Sequence, residues 1–220
     1  MESLEYRLIR SRRKTVGLEV ERDGSLTVRA PLRLPVAAIE RVLREKADWI
    51  GRHRDRAALQ ADRYPPIQIT EGGGIPWLGG TLTLRLTQGG RTERRGEELF
   101  LPKDGGEAAL KRWLIQQARD LLARRADLYA GRMGVAPTGL RMSGARRQWG
   151  SCTGKNSLNF AWRLIFCAPA AVDYVVVHEL AHITHKDHSA AFWKRVEEIL
   201  PDYRERRAWL IEHQGALELL

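Results

Sequence analysis

The sequence predicts an α+β fold, in which a β-rich N-terminal part precedes a mainly helical part with a small sheet. Short runs rich in β-branched residues, separated by turn signals, fill roughly the first 105 positions, and helical periodicity dominates from Glu107 onward. The chain has 220 residues and is 43% hydrophobic, which suffices for one sizeable core or two small ones. We therefore predict two domains, residues 1–105 and residues 106–220.

The N-terminal part reads as short strands followed by one helix. The runs EYRLIR, KTVGLEV and SLTVRA are strand-like, and Arg-Asp-Gly at 22–24 predicts a hairpin turn between the last two. Pro35 opens an amphipathic helix that ends before Tyr-Pro-Pro at 64–66. The alternating run TLTLRLT predicts a half-buried strand, with ELFLP as its hairpin partner across GGRTERRG.

The C-terminal part reads as a series of helices around an irregular segment. Apolar residues follow the 3.6-residue period from Glu107 to Gly131, and a β-containing stretch is expected over 138–167. Three further helices are predicted at 170–184, 190–200 and 202–213. Pro169 suits the first position of a helix, and Pro201 ends the middle one of the three.

The formal net charge of +10 is concentrated near the N-terminus. Residues 1–63 carry 15 basic and 10 acidic side chains. Arg10, Arg12, Arg13 and Lys14 form a basic N-terminal patch that is a candidate for binding DNA or another polyanion. The alternative is a solvated face, which the lack of interleaved aromatic residues favours.

Other bulk features favour a cytoplasmic protein without a membrane partner. The sequence has no run of eighteen apolar residues, and its N-terminus lacks the apolar stretch of a signal peptide. The two cysteines, Cys152 and Cys167, fit neither a disulfide framework nor a common zinc motif, so we expect reduced thiols.

The most informative segment is HELAHITHKDH, residues 178–188, which holds four of the six histidines of the chain. His178 and His182 are one helical turn apart, so they point the same way and can share one zinc ion. Glu179 lies about 100° around the helix, where it can take a proton from a water held by the metal. This is the logic of the HExxH motif of zinc hydrolases.

A catalytic zinc takes three protein ligands, so His185 and His188 are the candidates for the third position. On a continuous helix His185 would lie about 7–8 Å along the axis from the midpoint of the first pair, at 1.5 Å per residue. If the chain instead turns back after His182, and Ser189 caps a new helix, His188 can converge on the metal. Geometry favours His188.

These residues resemble the YgjP-like metal-dependent hydrolases, which are relatives of the SprT-like and minigluzincin zinc peptidases. The resemblance extends over nearly the whole chain and is carried by RRQWGSC, LNFAWRLIFCAP, DYVVVHELAH, DHSAAFW and LPDY, together with KTVGLEVERDGSLTVRAP near the N-terminus. It implies a zincin-like catalytic domain at 106–220, with one Zn²⁺ ion on His178, His182 and His188 and with Glu179 as general base. The family pattern has asparagine where this chain has Asp187, a candidate anionic neighbour of the ligands.

A metzincin is excluded although the histidine spacing matches HExxHxxGxxH. His185 replaces the glycine of that motif, and no methionine follows it to form a Met-turn. The WGSC stretch is expected to line the cleft, and Arg146 or Arg147 is a candidate for binding an oxyanion or phosphate, with a surface role as the alternative. Tyr174 and Tyr203 are candidate donors to a transition state, although a structural role is favoured for both.

Three functions are consistent with the sequence. The first is a zinc-dependent hydrolase of metallopeptidase type, which acts on peptide or protein substrates with Glu179 as the base. The second is a metal-dependent pyrophosphohydrolase of nucleoside triphosphates, which the basic charge favours. The third is a DNA-associated binding module with structural zinc, against which the retained Glu179 argues, because a structural site needs no unliganded base. A protease that acts near DNA combines the first and third.

Overall fold

The computed structural model describes residues 5–220 and confirms the α+β class, with six α-helices and three small sheets in those residues. The chain divides into two compact units, Met1–Pro65 and Pro66–Leu220. The predicted boundary after residue 105 falls inside the second unit and stays a prediction about functional domains. Residues 1–4, where the predicted N-terminal part begins, lie outside the described residues.

The first unit is a three-stranded sheet covered by two helices. Strand β1 (Arg7–Ser11) pairs parallel with β3 (Leu26–Pro31), and β2 (Gly17–Val20) pairs antiparallel with β3. The turn between β2 and β3 confirms the predicted hairpin, with Gly24 at φ 78° in the left-handed region that glycine tolerates. The core of this unit consists of Leu26, Val28, Ala30, Ile39, Leu43 and Ile50.

The helix predicted after Pro35 is two helices rather than one. Helix α1 (Val36–Glu45) ends at Lys46, whose backbone leaves the helical region with φ −106° and ψ 13°, and α2 (Ala47–Arg63) follows directly. The break lets Ile39 and Leu43 of α1 and Ile50 of α2 reach the same core. The helical spacing of apolar residues did not reveal the break at Lys46, because the two helices bury the same apolar positions that one continuous helix would bury.

The basic N-terminal patch is divided between exposed and tethered side chains. The Arg10 guanidinium donates to the carbonyls of Pro31, Leu32 and Leu34 at 3.0, 3.1 and 2.8 Å. Arg13 lies against the backbone of Gly17 and is half-buried. Arg12 and Lys14 are exposed. Binding of a polyanion by this patch stays a prediction, and it now depends mainly on the two exposed residues.

The second unit begins with a four-stranded sheet in the order β4-β5-β7-β6. Its strands are β4 (Gly74–Trp77), β5 (Gly80–Thr87), β6 (Glu93–Arg95) and β7 (Glu98–Pro102). The predicted hairpin between β5 and β7 is wrong, because these strands pair parallel. The segment between them contains β6, which turns back at Gly96 (φ 61°) and takes the hairpin position beside β7.

The site is carried by the remaining elements of this unit. Helix α3 (Gly106–Met133) packs against α4 (Pro169–Ala181), and a small sheet in the order β8-β10-β9 precedes α4 in the chain. Its strands are β8 (Gly139–Ser143), β9 (Gly150–Cys152) and β10 (Ser157–Ala161). Helices α5 (Ala190–Ile199) and α6 (Tyr203–Glu212) both contact α4. Each helix in residues 5–220 is too short or too polar to cross a membrane.

We predict that Arg10 stabilises the first unit. Arg10→Met keeps the apolar stem but removes the donors to three carbonyls, so the free energy of unfolding should fall by about 1–3 kcal/mol. The matched control Arg12→Met changes an exposed neighbour and should stay within about 0.5 kcal/mol of the parent. Urea unfolding measures both, and equal effects of the two substitutions would contradict the tether.

Candidate metal centre

Helix α4 supplies His178 and Glu179, and His182 is the C-cap residue that directly follows it. It begins at Pro169, as predicted, and apolar side chains are buried on most of its circumference. A helix that is apolar nearly all round is held inside a core, so its few polar side chains have fixed surroundings. In the last two turns of α4, the apolar surface is interrupted at residues 178 and 179, and His182 follows at the end of the helix. These residues form one polar region.

Helix α4 ends earlier than the sequence predicted. Its last helical residue is Ala181, whereas the sequence predicted a helix to 184. The His185 backbone N–H still bonds the Ala181 carbonyl at 3.0 Å, and the chain then leaves the helical path. His185 is thus removed from the face that His178 and His182 share. Its ring Nδ1 lies 2.9 Å from the Thr184 hydroxyl.

The segment after the turn brings His188 back to the helix. Asp187 accepts a hydrogen bond from the Ser189 backbone N–H at 3.2 Å, and the Ser189 hydroxyl accepts from the Phe192 N–H at 3.5 Å. Ser189 is therefore the N-cap of α5, as predicted. The Asp187 carboxylate, a candidate neighbour of the ligands, closes this turn.

Three histidine side chains converge at this point. The ligand atoms offered by His178, His182 and His188 all lie within 4.8 Å of one another. His178 Nε2 and His188 Nε2 are 3.1 Å apart. Two nitrogens of a tetrahedral zinc with bonds of about 2.0–2.1 Å would be about 3.3 Å apart. The separation fits one shared metal ion, so the three histidines suit the zinc ion that the HExxH motif implies.

The protonation of these rings also suits metal binding. Burial, with smaller contributions from the neighbouring charges, lowers the pKa of His178 to about 3. Burial likewise lowers the pKa of His182. His182 Nδ1 lies 3.0 Å from the His185 carbonyl, so this nitrogen carries the proton and Nε2 is left with its lone pair. A second ring nitrogen bonded to a backbone carbonyl is the usual support of a metal-binding histidine.

Aromatic side chains of α5 support the three rings. Phe192 is fully buried, and its ring centroid lies 4.5 Å from that of His182 and 4.9 Å from those of His178 and His188. Trp193 lies nearly parallel to the His188 ring, with an interplanar angle of 27°. The sequence analysis gave neither residue a role, although DHSAAFW was part of the resemblance.

Tyr174 and Tyr203 occupy different places. The Tyr174 hydroxyl lies 3.5 Å from His178 Nδ1, one turn earlier on α4, so it can orient that ring. Burial raises the pKa of Tyr174 to about 12, which keeps the hydroxyl protonated. Tyr203 instead stacks on Trp193 with an interplanar angle of 18°, a packing role.

Glu179 is buried beside the histidines, and one of its carboxylate oxygens has no hydrogen-bond partner among the described residues. Its side chain is 5% exposed, and Oε2 has no hydrogen-bond partner among the described residues. Burial raises the pKa of Glu179 to about 7. An ionisable oxygen without a partner in an apolar environment is costly, and such groups concentrate at functional sites.

The space for Glu179 is provided by Gly150 in the WGSC stretch. A Cβ atom added at Gly150 would lie 2.8 Å from Glu179 Cγ and 2.9 Å from Oε1. Only glycine lets β9 approach the carboxylate this closely. The expectation that WGSC lines the cleft thereby gains a physical reason that the sequence did not provide.

A cavity of about 260 Å³ opens beside the carboxylate. Its lining residues come from the start of β9 and the residue before it, from α4 and α6, and from the segment after α6. They are Trp149, Gly150, Tyr174, Val175, His178, Glu179, Arg207, Leu210, Ile211 and Gln214. Arg207, which the sequence analysis did not consider, is the cation of this lining. Arg146 and Arg147 are exposed and are not among the lining residues. Arg146 lies instead near Arg163, whose pKa is lowered to about 10 by burial and by the Arg146 charge.

The cysteines are free thiols, as expected. Cys167 is fully buried, and burial raises its pKa. Cys152 ends β9 and is half-buried, and burial raises the pKa of this thiol as well. A raised pKa keeps a thiol protonated, and a protonated thiol is a poor metal ligand. Among the described residues, the candidate metal centre therefore consists of histidines and includes neither cysteine.

Comparison with known proteins gives a match over most of the chain. A family profile described as "YgjP-like, metallopeptidase domain" matches residues 14–213. Among solved structures, the metallopeptidase zymogen abylysin of Pyrococcus abyssi is similar, with 21% sequence identity and a TM-score of 0.36 over 44% of this chain and 95% of that chain. No curated protein matches.

The third histidine ligand can be tested by metal content. We expect His188→Ala to lose most of the zinc that the parent retains, because loss of one of three ligands weakens a site far more than the roughly 10–100-fold typical of supporting residues. His185→Ala keeps its backbone carbonyl and should retain nearly one zinc per chain. Elemental analysis after dialysis measures both, and the reverse result would show that the turn after Ala181 does not form the site.

The role of Gly150 can be tested separately from metal binding. Gly150→Ala should displace the Glu179 carboxylate, so hydrolysis should fall at least about tenfold while zinc content stays the same. The matched control is Gly139→Ala in β8 of the same sheet, where an added Cβ would meet only Ser157 Oγ at 3.6 Å. Parental activity in Gly150→Ala would show that the carboxylate position is not critical.

Proposed function

Because the chain belongs to the YgjP-like metallopeptidase family, we propose that it hydrolyses peptide bonds in peptide or protein substrates with one bound zinc ion. The metallopeptidase domain makes the chain a metal-dependent hydrolase. The choice of zinc, the ligands His178, His182 and His188, and the role of Glu179 are the finer parts of this proposal.

The observation that carries the proposal is the buried Glu179 carboxylate beside three converging histidines. Its unpartnered Oε2 is costly to the fold and has no structural task among the described residues. A base that accepts a proton during the reaction needs such an oxygen, because a donor bonded to it would occupy the lone pair that receives the proton.

In the proposed reaction, the histidines hold the metal ion and Glu179 transfers the proton. Zinc, when bound, supplies Lewis acidity, which lowers the pKa of water towards neutral pH and polarises a carbonyl group. His178, His182 and His188 would hold it through their neutral rings, with Tyr174 and the His185 carbonyl orienting two of these rings. Glu179 would accept the proton of the attacking water and deliver it to the leaving amine.

The two alternative functions receive less support. A structural-zinc module has no use for an unpartnered buried carboxylate next to the ligands. A nucleotide hydrolase needs several cations to hold a triphosphate, whereas the lining of the cavity beside Glu179 includes one arginine. Hydrolysis of nucleoside triphosphates is therefore the competing outcome of the experiment below.

The decisive experiment compares substrates and one isosteric substitution. The zinc-loaded protein is incubated with a mixed peptide library and, separately, with nucleoside triphosphates. Glu179→Gln should keep its zinc and lose peptide hydrolysis by at least about 10²-fold, as expected for removal of a general base. Glu197→Gln, which changes an exposed carboxylate that pairs with Arg204 on α6, serves as the control and should match the parent.

Two results would contradict the proposal. Parental activity in Glu179→Gln would exclude this residue as the base. Hydrolysis of triphosphates but not of peptides, abolished by the same substitution, would assign the centre to the alternative substrate class.

A further inference from the structure

One cation lies within the cavity beside the candidate metal centre. Arg207 of α6 shares the cavity with His178 and Glu179, and the carboxylate of Glu179 is the acidic group of the lining. Arg207 is exposed, so its guanidinium can be reached from solution. Its position next to the reacting groups distinguishes it from the many surface arginines of this chain.

Arg207 also differs from its neighbours on α6 in having no ion-pair partner. Arg204 pairs with Glu197 at 3.4 Å, and Arg206 pairs with Asp202 at 2.8 Å. Within residues 5–220, no carboxylate lies in ion-pair distance of Arg207. Its guanidinium lies over the Trp193 ring, 5.3 Å from the centroid. The helix thus leaves one of these three guanidinium groups available, and that one lines the cavity.

The contact with Trp193 favours one orientation of this cation. Trp193 is itself held between His188 and Tyr203, with ring centroids at 5.7 and 5.4 Å. An arginine over the face of an indole loses part of its rotamer freedom before any ligand binds. The contact therefore favours a position of the guanidinium close to the ring that stacks on His188.

The rest of the cavity suits a short aliphatic chain that ends in an acid. Val175, Leu210 and Ile211 contribute apolar surface, and Gln214 contributes an exposed amide that has no hydrogen-bond partner among the described residues. The volume of about 260 Å³ is below the range of about 300–1,000 Å³ typical of pockets for larger ligands. This volume suits one amino-acid side chain.

We propose that Arg207 binds a substrate carboxylate adjacent to the scissile peptide bond and so selects peptides that carry an acidic group there. The carboxylate comes either from an Asp or Glu side chain or from the free C-terminus of the peptide. Guanidinium and carboxylate form paired, charge-assisted hydrogen bonds, which give both affinity and orientation. This assignment of substrate class rests on the proposed peptidase function.

Cleavage-site profiling tests the assignment. The zinc-loaded protein digests two peptide libraries, one with free and one with amidated C-termini, and mass spectrometry identifies the cleaved bonds. We expect acidic residues at one subsite, or a C-terminal carboxylate, to be favoured at least about tenfold over their amide counterparts. Preference confined to the free C-termini identifies the terminal carboxylate, and preference retained in amidated peptides identifies the side chain.

Three variants make the test specific to Arg207. Arg207→Met should remove the preference while neutral peptides are still cleaved, and Arg207→Glu should shift it towards Lys and Arg. Arg204→Met changes an arginine one turn away that already has a partner, and it should leave the preference unchanged. An unchanged profile in Arg207→Met, or an equal loss for acidic and neutral peptides, would overturn the assignment.

A binding measurement separates this inference from the peptidase proposal. Titration of the zinc-loaded Glu179→Gln protein with N-acetylglutamate should shift the side-chain NMR signals of Arg207 and Trp193, whereas N-acetylglutamine amide, which carries no carboxylate, should not. This binding without peptide cleavage by the parent would leave the carboxylate site standing and remove the peptidase function. Peptide cleavage without any acidic preference would do the opposite. Tighter binding of inorganic phosphate than of N-acetylglutamate at Arg207 would overturn the choice of a carboxylate.

Discussion

The end of α4 at Ala181 is the constraint on which the candidate metal centre depends. A longer helix would carry His185 away along the axis, whereas the observed turn uses that residue's carbonyl to fix the His182 ring. The same turn leads to the cap at Ser189 and so sets the start of α5. One local change of backbone direction thereby determines the position of His188 and the tautomer of His182. It also places the Phe192 ring against the rings of both histidines.

The centre imposes a cost that the surrounding core offsets. A buried carboxylate with an unpartnered oxygen and three closely spaced imidazoles are each unfavourable in a low-dielectric interior. They are tolerated because α4 is packed by α3, α5 and α6, so the helix cannot move to relieve them. Local features that oppose stability inside an otherwise consistent core are typical of functional sites.

The sequence predicted most of the centre because its chemistry is local. His178, Glu179 and His182 are placed by helix geometry, and the turn and cap that bring His188 back follow from residues 182–189. Gly150 and Arg207 could not be found in this way, since each acquires its role from a residue distant in sequence. Gly150 matters only because Glu179 packs on it, and Arg207 only because α6 passes the cavity.

The same distinction explains the errors in the fold. The turn at Gly24 was recognised because a hairpin is a local structure with its own glycine signal. The pairing of β5 with β7 was predicted, but its direction was wrong, because the three residues of β6 are too few and too polar to be recognised as a strand. Alternation of apolar residues shows that a strand has one buried face, but it does not show in which direction the neighbouring strand runs.

The arrangement separates the groups that would react from the group that would select a substrate. The histidines and Glu179 lie on α4 and the turn that follows, where neighbouring elements fix them from several sides. Arg207 lies on the exposed side of α6, held by one aromatic contact. A substitution on the exposed face of α6 has little effect on packing, whereas a substitution on α4 disturbs the core of the unit. Such a scaffold allows preference for a substrate to change while the metal-binding chemistry is preserved, because the two depend on different parts of the fold.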